Sequence, residues 1–374
     1  MICLAYLASP PTRASACCNC GRRCVQWRPA GTSARLSGCS SAWFRAPALG
    51  AGGRWFESSH PDYLSQEVVR RKSQTACLLA ARGNDDRDSA GRFKLNGQAT
   101  GMPNCTNREA ILGIDAAWTN AKPSGVALLK FCCGQWCCAG LAPSYNAFLA
   151  LAQGQNVNWN QRPVAGAPNP AALLQAARNL LGNLNVNVVS VDMPVATDEI
   201  RRRRAADDAI SQAFGQAGCG THSPNANRPG QVGAALSQAF SESGYALATM
   251  ATQAPTCLRL VEVYPHTALL ALTNSTYRLP YKVSKSGRYW PNTPIQTRIA
   301  NLLAVFQGIL TSLNQCITRI PLVLPQTAQV RHLSQLKRYE DAIDALICCW
   351  VGVKYLSAQI IPRGDNSAAI WNPV

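Results

Sequence analysis

The chain has 374 residues, of which 47% are hydrophobic and 15% charged, enough apolar material for a core in one large domain or two smaller ones. No uninterrupted apolar run is long enough to span a bilayer, which argues against a membrane protein. A net charge of +17 favours a polyanionic partner, of which nucleic acid is the commonest.

Residues 1–101 are rich in Arg, Ser, Gly, Ala and Cys, with 14 basic against 6 acidic side chains, and show no sustained helical or strand period. Within them SSAWFRAPALGAGGRWFESSHPD, from Ser40 to Asp62, resembles a translated transfer RNA gene. WFES at Trp55 to Ser58 back-translates to TGGTTCGARTCC, the T-arm sequence, and PALGAG at Pro47 to Gly52 to a stem and loop around a proline anticodon. The expectation is a disordered or non-native extension, with the natural start at or near Met102. A real basic arm is the other reading.

Seventeen cysteines include CCNCGRRC at Cys17 to Cys24 and CCGQWCC at Cys132 to Cys138, neither with zinc-site spacing, and only four histidines accompany them. The odd count fits a reducing compartment. The opening MICLAYLASPPTRASA has no basic residue before its apolar run, so it reads as no signal peptide and the expected location is cytoplasmic.

From Met102 the pattern becomes regular. Ala110 to Ala116 reads as a strand ending in Asp115, Lys122 to Ser124 as a turn, and Gly125 to Phe131 as its hairpin partner, with a third strand around Trp136 to Leu141. Pro170 to Leu181 is an amphipathic helix. NVNVVSVDMP, Asn185 to Pro194, is a buried strand ending in Asp192. A basic helical insertion at about 197–257 opens with a helical, arginine-rich stretch from Asp198 to Phe214, in which RRRR at Arg201 to Arg204 begins a helix, and continues into a Gly-, Pro- and Asn-rich loop. Leu258 to His266 is the next strand, with Glu262 inside it and His266 expected to cap a following helix. In the last long helix, LSQLKRYEDAIDALICCWVGVKYL, Asp341 and Asp344 lie three apart and share a face.

Two apolar strands that each end in Asp, with paired acids on a helix, suit phosphodiester cleavage. Two divalent ions roughly 4 Å apart can stabilise the crowded anionic centre and activate water. Mg2+ or Mn2+ takes hard oxygen ligands, which Asp115, Asp192 and Asp344 can supply, with Asp341 nearby. Taken singly, each acid also reads as a turn former, a helix cap or a solvated helix residue. Glu262 either joins this catalytic set or is structural.

GIDAAWTNAKPSGVALL, VSVDMP, ISQAFGQAGCGTHSPNANRPG, VEVYPHTALL and DAIDALICC, in this order, resemble the domain of unknown function 429 family of predicted RNase H-fold nucleases. The resemblance runs from about Ile111 to Pro373. It implies an α/β, RNase H-like domain at 102–374: a mixed five-stranded sheet led by three antiparallel strands, flanked by helices and related to the RuvC resolvase group. It also implies that Asp115 ends the first strand, Asp192 ends the fourth, and Asp344 stands on the last helix. RuvC-like proteins usually carry Glu at the position of Asp192; this chain departs from that pattern with the shorter Asp followed by Met and Pro, which changes the reach of the ligand toward a metal.

Substrate contacts are expected from Arg201, Arg202 and Arg204, whose guanidinium groups grip phosphates through paired hydrogen bonds, or else form a solvated helix face with Asp207 and Asp208. His222 in GCGTHSP either orients water or phosphate or is idle. YKVSKSGRYWP at Tyr281 to Pro291 alternates cations (Lys282, Lys285, Arg288) with aromatics, as in surfaces that track a backbone and stack bases. It also reads as a surface loop with Tyr289 and Trp290 in the core. The sequence therefore points to a magnesium-dependent nuclease. A nucleic-acid-binding module without catalysis is the alternative. An ATP-binding phosphotransferase of the actin and sugar-kinase type lacks its glycine-rich phosphate loop here.

Overall fold

A computed structural model describes residues 109–374; the expected N-terminal extension and its transfer RNA-like stretch lie outside the described residues. The elements run in order β1 (Ala110–Asp115), β2 (Gly125–Cys132), β3 (Gln135–Ala142), α1 (Tyr145–Ala152), α2 (Pro170–Leu180), β4 (Val188–Asp192), α3 (Ala205–Phe214) and α4 (Gln231–Glu242). There follow β5 (Ala246–Leu247), β6 (Arg259–Glu262), α5 (Pro265–Thr273), α6 (Ser286–Tyr289), α7 (Ile295–Asn314), β7 (Ile317–Thr318), α8 (Lys337–Leu356), β8 (Ile360–Gly364) and β9 (Ala369–Pro373).

All nine strands belong to one mixed sheet, in the order β7-β3-β2-β1-β4-β6-β9-β8, with β5 beside β6. The first hairpin and β3 are antiparallel, whereas β1, β4 and β6 are parallel neighbours. Five strands were expected. The additions are two-residue strands at β5 and β7, too short to leave a periodic signal, and the antiparallel β8–β9 hairpin at one edge. In that hairpin's turn the Asp365 carboxylate accepts N–H bonds from Ser367 and Ala368.

The central strands are buried on both faces, so they read as continuous apolar runs. Alternate residues nevertheless serve different cores. Ile111, Ala127, Leu129 and Val188 pack with α5, α7 and α8, whereas Leu112, Ile114, Val126, Leu128 and Val189 pack with α1, α2 and α4. Side-chain oxygens of Ser144 and Asn169 cap the first turns of α1 and α2, and Pro170 starts α2 where no N–H partner is needed.

Helix α8 lies across β1, β2 and β4 and is buried nearly all round. Its approach is close. A Cβ on Gly113 would collide with the Ala345 carbonyl and Cys349, and one on Gly125 with the Asp341 carbonyl. These two glycines let the acidic first half of α8 settle over the ends of β1 and β4.

Several boundaries differ from the sequence reading. RRRR does not begin a helix: Arg201 to Arg203 precede it and Arg204 is the cap residue of α3. Strand β6 stops at Glu262, because Tyr264 caps α5 and Pro265 occupies its first position. His266 therefore caps nothing; it lies inside α5, buried, with its Nε2 2.6 Å from Arg278.

Candidate metal centre and adjoining basic cleft

Asp115 and Asp192 are in-register partners at the ends of two parallel strands. Neighbouring strands run about 4.8 Å apart, so the two carboxylates stand side by side. Helix α8 brings Asp344 in from above, and one carboxylate oxygen from each of the three lies within 4.8 Å of the others. Asp344 is fully buried, while Asp115 and Asp192 are partly exposed. The strand ends form the floor of the centre and the helix its wall.

Two further acids of α8 belong to the same cluster. Asp341 lies beside Asp115, and Glu340 sits one turn before Asp344. Two lysines offset the accumulated charge. Lys282 Nζ is 2.5 Å from Asp344 Oδ2 and 3.7 Å from Glu340, and Lys337 pairs with Glu340 at 2.9 Å and with Asp341. The segment carrying Lys282 is fastened to α8 on either side: the Tyr281 hydroxyl donates to Asp344 Oδ1 at 2.7 Å, and the Val283 N–H donates to Glu340 at 2.6 Å.

Five carboxylates against two ammonium groups leave the centre short of positive charge. Burial raises Asp115 well above the usual carboxylate range, with Asp341 and Asp344 adding repulsion. Burial lifts Asp192 to about 7, with Lys282 opposing, and Asp341 to about 6, with Lys337 opposing. Asp344 is raised by burial as well, against Lys282. Glu340 goes the other way, because Lys337, Lys282 and the Val283 N–H outweigh its burial.

Glu262 stands on the other side of Asp192, in register with Val191. Its carboxylate is taken up by Arg204, which donates to both oxygens at 2.7 Å, and it also accepts the Val195 N–H at 3.1 Å. Arg204 pairs with Asp207 too, at 3.0 Å. Burial acts against the Arg204 charge, but Glu262 and Asp207 more than compensate and hold the guanidinium protonated. The structure thus places Glu262 and Arg204 in a buried clasp behind Asp192, which anchors the segment leading into α3.

The remaining basic residues divide in two. Arg201 pairs with Glu199 at 2.9 Å, Arg203 pairs with Asp208 at 2.5 Å, and Arg202 is exposed. His222, Lys285 and Arg288 instead share a cleft of about 610 Å³ with Arg278, Tyr277, Tyr289 and Trp290. His222 also borders the small hollow that holds Asp192 and Glu262, so cleft and acids adjoin. Burial and then the charges of Lys285, Arg278, Arg228 and Lys282 lower the His222 pKa.

Of the residues singled out in the sequence, the structure brings together Asp115, Asp192, Asp344, Asp341 and Lys282. Sequence reasoning missed Glu340, Lys337, Arg278 and Tyr277, and saw Tyr281 only as an aromatic of a base-stacking stretch. The first two carried a signal, since Glu340 is four before Asp344 and Lys337 four before Asp341, one helical turn in each case. The other three lie in irregular backbone, where spacing carries no such information.

A mixed α/β fold that converges three carboxylates at its strand ends defines an acidic-centre protein, whatever its chemistry. Residues 113–361, more than half of the chain, match the family described as Protein of unknown function (DUF429), and the chain belongs to that family. No curated protein and no solved structure matches it. No helix among the described residues is long and apolar enough to cross a membrane.

Proposed function

We propose that the chain is a divalent-metal-dependent nuclease of the RNase H-like class, hydrolysing phosphodiester bonds of DNA or RNA. The observation that carries this reading is the convergence of Asp115, Asp192 and Asp344, with ligand oxygens within 4.8 Å of one another, from two adjacent strand ends and one helix. Support also comes from the run β3-β2-β1-β4-β6, three antiparallel strands followed by two parallel ones, which has the order expected of that fold.

The donor set suits Mg2+ or Mn2+: its oxygens are hard, its charge is in excess, and Asp115 and Asp192 keep access to solvent. A divalent ion there supplies Lewis-acid stabilisation of charge on the scissile phosphate and acidifies water. Asp115, Asp192 and Asp344 hold it. Asp341, beside Asp115 and paired with Lys337, holds the neighbouring ligand in place. Lys282 and Lys337 offset repulsion among the acids. The cations Arg278, Lys285 and Arg288 of the adjoining cleft, unpaired among the described residues, favour a second reading, a nucleic-acid-binding module without catalysis.

The experiment is cleavage of labelled single-stranded and duplex DNA and RNA with Mg2+ or Mn2+, comparing the wild type with D115N and D344N. Cleavage by the wild type that both variants abolish is expected. If the wild type binds nucleic acid and cuts none of it with either ion, the binding-module reading replaces this one.

A further inference from the structure

We infer that the cleft between Gly218–His222 and Tyr277–Trp290 holds an unpaired nucleotide, so that the substrate class is single-stranded nucleic acid or a frayed end rather than intact duplex. This deepens the nuclease reading and rests on it. At about 610 Å³ the cleft is within the size range of sites that enclose a small organic group.

Charge decides what kind of group. Arg278, Lys285 and Arg288 line the cleft, no carboxylate does, and none of the three has an ion pair among the described residues. Arg201, Arg203 and Arg204, by contrast, are each already paired with an acid. Other cations, Arg202 among them, also have no ion pair among the described residues, but the cleft gathers three of them around one cavity, and an anion is the ligand they lack. Arg278 is held in place by His266 Nε2 at 2.6 Å and by its own N–H to the Ala217 carbonyl.

The aromatic side chains decide between a bare phosphate and a nucleotide. Tyr277 is 64% exposed, so its ring is open to a ligand. Its ring nevertheless has a backing. Gly218, at φ +74°, carries no Cβ, and one added there would sit 2.8 Å from the ring. Also in the lining, Tyr289 and Trp290 meet edge to face, with centroids 5.7 Å apart, and Trp290 is seated on the core. Such surfaces take the face of a base, which a stacked base pair does not offer, since a duplex shows only base edges in its grooves.

Position completes the argument. His222 borders both the cleft and the hollow of Asp192. Lys282, which touches Asp344, is three residues before Lys285. A strand anchored by one nucleotide in the cleft would thus continue onto the acids.

The test is fluorescence anisotropy of the full chain in EDTA with labelled oligonucleotides of roughly 12 nucleotides, single-stranded or as a blunt duplex. Unlabelled mononucleotide serves as competitor. Single strands should bind at least about ten-fold tighter than the duplex, and Y277A should remove roughly that factor for single strands only. Y277F, which keeps the ring, should restore it. R288Q should weaken binding and flatten its salt dependence. Equal affinity for the two forms, or single-strand affinity unchanged in a folded Y277A chain, would overturn the inference. So would displacement of the strand by mononucleotide at the strand's own concentration, which would make the ligand a free nucleotide. Because no metal is present, the outcome is separable from the nuclease reading. Duplex cleavage with no effect of Y277A defeats only the cleft; tight, Tyr277-dependent single-strand binding without cleavage under Mg2+ or Mn2+ defeats only the nuclease.

Discussion

Burial lifts Asp192 from its ordinary 3.8 to about 7, so between those values the folded chain holds a proton that the unfolded chain has released. Stability from such a group is complete below its unfolded pKa and is lost as pH rises through the folded one. Asp341, lifted to about 6, acts in the same direction, whereas Glu340 is lowered and matters only below its ordinary value of 4.5. The pKa values of His266, which is buried, and of His222 are lowered, and these groups act in the opposite direction over the same interval, so the comparison is with D192N. In EDTA, the urea midpoint of the wild type relative to D192N should fall as pH rises from about 4 to 7. A difference that climbs over this interval would refute the assignment. Lys282 invites a second measurement. K282M leaves Asp344 buried without its nearest cation, a loss of about 3–5 kcal/mol for a broken buried pair. Metal-free denaturation should show that loss, and Mn2+ should recover part of it; stability equal to wild type would mean that the pair contributes nothing.

Helix α8 and the strand ends are useful only while they stay close, and two glycines set the distance. G113A forces the helix away from β1, and overpacking of this kind costs about 1–3 kcal/mol. Manganese affinity should drop with it, as calorimetry would reveal. G308A is the control: the residue is exposed on α7 with nothing near its missing Cβ, so alanine should stabilise by up to about 1 kcal/mol and leave metal binding alone. If the two variants behave alike, close approach is not what positions Asp341 and Asp344. The elements themselves were legible to unequal degrees. Strands β1, β2 and β4 announced themselves as apolar runs, and Asp115 and Asp192 were visible because each ends such a run. The start of α3 was misplaced because four arginines have good helix propensity, while the buried pairs of Arg204 with Glu262 and Asp207 hold it at the cap instead. No local pattern could have shown that pairing, since Arg204 and Glu262 are 58 residues apart.

For the whole molecule, a ligand that binds only the folded state stabilises it by mass action, about 2.7 kcal/mol at a hundred times its dissociation constant. For a domain of this size that amounts to roughly 2–4 °C per kcal/mol. Saturating Mn2+ should thus raise the thermal midpoint by several degrees in the wild type and not in D115N, by calorimetry at fixed ionic strength. An equal rise in both would place the ion elsewhere. The outline of the sheet has a consequence of another kind. Among the described residues its last strands are β7, only two residues long, and β8, which carries Pro362 and Arg363 at its centre. A strand end that short offers hardly any backbone to copy, and a proline has no N–H to give a newcomer. A large, flat, apolar sheet would otherwise be a template for self-association, and these two end strands offer a newcomer little backbone to extend.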